Sequence, residues 1–373
     1  MNNQQYPDFR PYGYDITKAI GSGHSGLVYA VRSLHEIGDM FVCKLVALES
    51  LPAKDRRLAE QEVELLRSLE HKNIVRFHDC FRIETTGTIG MVMEYCEQGD
   101  LRHVIKERSK TRQFFPERHV MTWFGQLADG LRYIHAHRVI HRDLKASNIF
   151  LQGSFPYKCL IGDFGISRVL DDTMSAAQTV IGTPYYLSPE VCKKEPYSYK
   201  SDIWSLGVCL YEMITFKLPF RGSNLLALVT RIIAEPFETA NTYNPDCSTA
   251  LSSLLIKLLT KDPQIRPSAA ELMRDQFVRS FLDDRPIAAA KPVPIVAAQP
   301  IVVARLVRPR FQPVPQIEQE DHVDAEEVVH NEELVSLKNY VTEEVIADRR
   351  ILLLPSGSSM PLHTNSPCPP PLP

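Results

Sequence analysis

Between residues 141 and 165 the chain sets down polar groups at intervals that very few architectures can use together. His141-Arg-Asp143-Leu-Lys145-Ala-Ser-Asn148 is followed, fifteen residues on, by Asp163-Phe-Gly165. Asp143 can accept the proton of an attacking hydroxyl, and Lys145 can neutralise charge building on a transferred phosphoryl group. Asn148 offers a neutral oxygen to a hard cation, and Asp163 offers a carboxylate. Magnesium favours one or two carboxylates completed by phosphate oxygens. Gly165 permits an unusual turn. Each string alone could be a helix cap or a surface loop. All of them in this order and spacing do not arise by chance.

Upstream stands Gly21-Ser-Gly23-His-Ser-Gly26-Leu-Val28. Three glycines let a backbone turn lie against phosphates without side-chain obstruction. The string could also be a dinucleotide fingerprint or a flexible hairpin. A dinucleotide site needs a helix directly after the glycines. Here Leu27 to Val31 reads as a strand, which favours a lid over phosphates. Lys44 lies in the apolar run Phe41-Val-Cys-Lys-Leu-Val46. A lysine on a buried strand needs an anionic partner, and Glu62 on the next predicted helix is a candidate. A lone lysine of this kind could equally snorkel to the surface.

Periodicity orders the rest. Strands are predicted over 15–20, 27–33 and 41–46, and a helix over 56–69. Helices are predicted over 115–135, 200–215, 225–234 and 248–259. Strands first and helices later imply an α+β chain of two lobes, one small and β-rich, one larger and α-helical. Composition changes near residue 285: fourteen of the 27 prolines fall in the last 89 residues, so the tail reads as a separate, mostly disordered segment. It runs from a Pro/Ala/Val stretch through an acidic stretch, Glu318 to Glu333, to a Pro/Ser end. Leu334, Leu337, Val341 and Val345 recur at helical spacing, so a short helix over 328–347 is expected, too short for a convincing coiled coil. The expected domains are 1–13, an N-terminal extension, 14–281, the folded domain, and 282–373, the tail.

Net charge is -3, which gives no ground for a nucleic-acid or anionic-membrane partner. The eight cysteines are scattered without metal spacing and read as reduced thiols of an intracellular protein. The polar start, Met1 to Pro11, lacks the apolar core of a signal peptide. Lys291, Pro292, Pro294 and Pro300 interrupt the most apolar tail stretch, so no membrane span is expected.

From about Tyr14 to Phe281 the chain resembles a eukaryotic protein kinase catalytic domain. The pattern comprises Gly21, Gly23, Gly26, Val28, Lys44, Glu62, His141-Arg142-Asp143, Asn148, Asp163-Phe164-Gly165, Ser188-Pro189-Glu190, Asp202 and Arg266. Within that superfamily it is most similar to the NIMA-related kinases. That likeness rests on Asn148-Ile-Phe-Leu151, Ile161 to Arg168, Gly182 to Glu190 and Lys200 to Gly207. The resemblance implies a serine/threonine protein kinase that uses ATP and Mg²⁺ on protein substrates. It implies that Ile20, Gly21, Gly23, Gly26, Val28 and Val42 enclose the nucleotide. Lys44 would hold the α- and β-phosphates and pair with Glu62. Met93 would back the adenine pocket, Glu94 and Cys96 would offer backbone hydrogen bonds to adenine, and Asp100 would lie near the ribose. Asp143 would be the catalytic base, Asn148 and Asp163 the metal ligands, and Glu190 and Arg266 a buried structural pair.

Two departures stand out: Val42 and Ser188 each replace an alanine of the family pattern. Neither removes a group that catalysis requires. Lys145 and Thr183 are the serine/threonine marks. Ser147 stands where kinases that read substrate arginines carry a glutamate, which implies weak preference for basic substrates. NIMA-related kinases tend to favour an apolar residue three before the acceptor. Arg142 beside the base could receive an activation-loop phosphate, with Thr179 the best candidate and Thr173, Ser175 and Thr183 weaker ones. A scaffold that keeps the fold and lacks catalysis is the competing reading; it normally shows a missing lysine, base or metal aspartate, and all three are present here. Pro292-Val-Pro294, Pro313-Val-Pro315 and Pro369 to Pro373 could dock SH3- or WW-type domains, or the tail could be a spacer. An intracellular, cytoplasmic location, with cytoskeletal, centrosomal or nuclear pools, and a cell-cycle, ciliary or microtubule role follow from the likeness alone.

Overall fold

A computed structural model of the chain describes residues 7–23, 26–35, 38–47, 56, 63–64, 66–111, 113–163 and 184–282. Glu62, the segment 164–183 with Thr173, Ser175, Thr179 and Thr183, and the tail with its expected helix over 328–347 lie outside the described residues. Of the helix expected over 56–69, Arg56, Val63, Glu64, Leu66 and Arg67 are described and helical.

The small lobe is a five-stranded antiparallel sheet. Its strands are β1 (Tyr14–Gly23), β2 (Gly26–Ser33), β3 (Met40–Ala47), β4 (Phe77–Ile83) and β5 (Thr88–Glu94), in the order β1-β2-β3-β5-β4. The register decides which side chains face where, because directly paired residues share a face and the pleat has a period of two. Val28 pairs with Lys44, Ala30 with Val42, Val42 with Met93 and Lys44 with Met91. These six residues therefore lie on one face. Tyr29, Val31, Phe41, Cys43 and Val92 take the other, where they form an apolar cluster. Phe9 completes that cluster, 1% exposed and edge-on to Tyr29 and Phe81. The packed small lobe thus begins before Tyr14, and the expected extension contributes to its core.

The large lobe is helical. It holds α1 (Leu101–Lys110), α2 (Glu117–Ala136), α3 (Pro189–Cys192), α4 (Tyr199–Thr215), α5 (Leu225–Ala234), α6 (Thr249–Leu258), α7 (Ala269–Leu272) and α8 (Gln276–Arg279). A hairpin of β6 (Ile149–Gln152) and β7 (Lys158–Ile161) lies against α2. Asp100, Ser198, Asn224 and Ser248 start α1, α4, α5 and α6, each side-chain oxygen accepting a first-turn N–H. Helix α4 is apolar on nearly every side, which suits a helix at the centre of a lobe. Among the described residues no helix is long and apolar enough to cross a membrane.

Candidate active site

The small lobe supplies one wall of the site. Val28, Val42, Lys44 and Met93 share its inner face through the register above. Lys44 is 6% exposed, and its ammonium pairs with the Asp163 carboxylate across the interval between the lobes. The glycine turn has a steric reason at Gly26. Its φ is +115°, in the left-handed region that side chains rarely adopt, and an added Cβ would lie 1.9 Å from the Leu45 carbonyl oxygen. Gly21 meets no such obstacle. Ile20 and Leu27 stay exposed beside the turn. A small cavity of about 30 Å³ lies among Lys44, Leu66, Met91, Met93 and Asp163.

The opposing loop is built on one buried carboxylate. Asp202, in the first turn of α4, is fully buried. Its Oδ2 accepts from the His141 N–H (2.9 Å) and lies 2.8 Å from His135 Nε2, while Oδ1 accepts from the Arg142 N–H (3.1 Å). A buried charge is tolerable when its lone pairs are met in this way. His141 is also fully buried. Its Nε2 donates to the Gly162 carbonyl (3.1 Å) and its Nδ1 accepts the Asp143 N–H (3.3 Å), an arrangement only the neutral ring can make. Burial lowers its pKa in the same direction. Arg142 and Asp163 both hold positive φ, +66° and +52°, so backbone strain gathers at this site.

On that base the polar groups converge. Lys145 Nζ lies 2.8 Å from Asp143 Oδ2. Asn148 Nδ2 donates to the same oxygen (3.0 Å) and to the Asp143 carbonyl (2.8 Å). With its nitrogen so engaged, the Asn148 side chain has its oxygen to offer a cation. No group of three His, Cys, Asp or Glu among the described residues could hold a metal ion, so a cation here would rely on Asn148, Asp163 and ligand oxygens.

A hinge joins the two walls. The Glu94 carboxylate accepts from the Arg76 N–H (3.2 Å) at the edge of the small lobe and from Gln152 Nε2 (2.7 Å) in β6. Glu97 accepts from the Gly153 N–H (2.6 Å), and Gln98 and Gly99 exchange backbone bonds with Leu151. Asp100 Oδ1 is engaged in capping α1. Burial pushes the Cys96 thiol up to about 12, so this residue meets the cleft as a neutral thiol.

Residues 14–278 match the family described as Protein kinase domain. The chain belongs to the protein kinase family. This kinase is 40% identical over 269 residues to human Serine/threonine-protein kinase Nek5, a match covering 72% of this chain and 37% of that protein. It is 38% identical to mouse Serine/threonine-protein kinase Nek4 over 72% of this chain and 33% of that protein. It is 37% identical to human Serine/threonine-protein kinase Nek11 over 73% of this chain and 41% of that one. The chain thus spans about two fifths or less of the length of these curated relatives.

Within the kinase fold the sequence-predicted residues Val28, Val42, Lys44, Met93, Asp143, Lys145, Asn148 and Asp163 gather about one cleft. Glu94, Cys96 and Asp100 lie along the hinge. Gly21 and Gly23 lie at the end of β1 and Gly26 opens β2, where Gly21 pairs with Val28 and Gly23 with Gly26. Glu62, Thr179 and Thr183 lie outside the described residues. Glu190 and Arg266 form the expected buried pair, two parallel bonds of 2.8 and 3.1 Å. His135 and Gln152 were not legible as site residues. Their partners, Asp202 and Glu94, lie 67 and 58 residues away.

Proposed function

We propose that the protein transfers the γ-phosphate of ATP to serine or threonine hydroxyls of protein substrates, as a kinase of the NIMA-related type. The observation that carries this reading is the Asp143 carboxylate, held by Lys145 and Asn148, with Asp163 paired to Lys44 across the cleft. Asp143 orients the substrate hydroxyl and accepts its proton. Lys145 stands 2.8 Å from that carboxylate, placed to steady charge on the transferred group. Lys44 binds the nucleotide phosphates. The turn at Gly26 suits them, because bare backbone can approach closely there. Asn148 and Asp163 would hold Mg²⁺, which supplies charge neutralisation on the phosphates when bound. Val28, Val42 and Met93 give adenine an apolar seat.

Switching belongs to the same proposal. A phosphate on Thr179 would order the activation segment through cations including Arg142. Ser147 supports weak reading of basic substrates, and proline motifs in the tail offer ligands for SH3- or WW-type domains if the tail is more than a spacer. The intracellular location stays part of this reading.

The test is transfer of labelled γ-phosphate from Mg-ATP to a general protein substrate. Wild type should be active, with Lys44→Met, Asp163→Ala and Asp143→Asn slower by about 10²–10⁴-fold, the range of a lost catalytic group. Thr179→Ala should lower the rate while leaving those residues in place. A silent wild type, its activation-loop phosphorylation verified, would turn the reading to a non-catalytic scaffold.

A further inference from the structure

The large lobe contains a cavity of about 400 Å³ that none of the residues placed in the proposed catalytic site lines. Its floor is apolar: Phe115, Val120, Ile214 and Leu251 are all buried. Two carboxylates, Glu117 and Asp246, stand at its edge. The Ser248 N–H (3.0 Å) and Oγ (2.7 Å) fix Glu117, and each carboxylate oxygen keeps a further lone pair. Arg108 stands over the Phe115 ring, but its guanidinium donates to the Gln113 and Phe114 carbonyls. The volume is that of a ligand site, and the lining asks for an apolar group carrying a cation.

The chain itself supplies one nearby. Leu282, the last described residue, packs on Gly125 of α2, where an added Cβ would lie 2.4 Å from Leu282 Cδ2. Gly125 is eight residues along α2 from Glu117, about 12 Å at the helical rise. Segment 285–302 follows after Asp283 and Asp284. It carries Arg285 and Lys291, no acidic residue, and the apolar Ile287, Val293 and Ile295. Nine residues separate Leu282 from Lys291, a reach of up to ~30 Å. So short a tether keeps the local concentration of the segment high.

We propose that segment 285–302 docks in this cavity within the same chain, its apolar residues on the floor and the Lys291 ammonium against Glu117 and Asp246. This goes beyond phosphotransfer and does not depend on it. Two measurements on the full chain test it. A carbodiimide joins ammonium and carboxylate groups in contact, so peptide mapping should find Lys291 coupled to Glu117 or Asp246 within one chain. Cys247, which lines the cavity, should react slowly with methyl methanethiosulfonate. The double variant Ile287→Asp, Lys291→Glu should raise that rate about tenfold, as expected if the segment covers the cavity nine tenths of the time. The charge swap Asp246→Lys with Lys291→Asp should restore protection, which separates docking from loss of fold. An unchanged Cys247 rate in the double variant overturns the proposal. So does protection that disappears on dilution, which would assign the cavity to a second copy.

Discussion

His141 makes two demands that only its neutral ring meets, donating to Gly162 and accepting from Asp143. Burial lowers its pKa, and does the same for His71 and His119. An unfolded histidine titrates near ~6.5. Between that value and the lower folded one, the unfolded chain binds protons that the folded chain refuses. Stability is therefore full above ~6.5 and falls as pH drops below it. Urea midpoints should be level from pH 8 to 7 and decline from about 6.5 downward, before carboxylates titrate. A midpoint that rises on acidification would contradict this. Ser188 gives a second residue-scale expectation. Among the described residues its buried Oγ has no hydrogen-bond partner, and the family pattern has alanine there. Ser188→Ala should stabilise by ~1 kcal/mol, the order of an unmet buried hydroxyl, read as a higher urea midpoint. The groups that do chemistry were legible in the sequence because they cluster in short charged strings. The groups that position them were not: His135 and Gln152 are ordinary residues until the fold sets Asp202 and Glu94 beside them.

At the scale of elements, the first three strands and the helices over 225–234 and 248–259 follow from periodicity, since each has one apolar face or a capped start. Strands β4 and β5 were missed. Phe77-His-Asp-Cys-Phe-Arg-Ile83 mixes polar and apolar residues, and what holds it is pairing with β5, set by a sheet that local pattern does not contain. Phe9, ahead of Tyr14, joins the small-lobe cluster, and its packing was not legible for a similar reason, because one aromatic in a polar stretch declares itself only by what it covers. Strand β5 also leads into the hinge, where Glu94 reaches both lobes. Gln152→Leu removes one end of that clamp while leaving the strand pairs of β6 intact. We expect KM for ATP to rise more than kcat falls, because the hinge backbone proposed to meet adenine loses its fixed position and the loop carrying Asp143 does not. Equal losses in both, with the fold intact by circular dichroism, would place Gln152 outside nucleotide positioning.

At the scale of the whole molecule, one ion pair ties together segments far apart in sequence. Arg266, between α6 and α7, bonds both oxygens of Glu190 in α3, the Lys200 carbonyl at the start of α4 (2.5 Å) and the Thr260 carbonyl after α6. Ser201 adds a hydroxyl to Glu190 (2.8 Å), and the Trp204 ring lies under the guanidinium at 5.1 Å. Burial alone would push the Glu190 carboxyl up, yet the hydrogen bond and charge of Arg266 hold it below the usual range. Removing one partner strands a charge in the core. Arg266→Met should therefore cost about 3–5 kcal/mol, whereas Arg266→Met with Glu190→Leu should recover much of that loss. The start of α4 also holds Asp202, whose carboxylate positions the loop carrying Asp143. Arg266→Met should thus lower phosphotransfer and the urea midpoint together, and the double variant should restore both. Recovery of stability without recovery of activity would show that the pair orients the loop by a route other than the seat of α4.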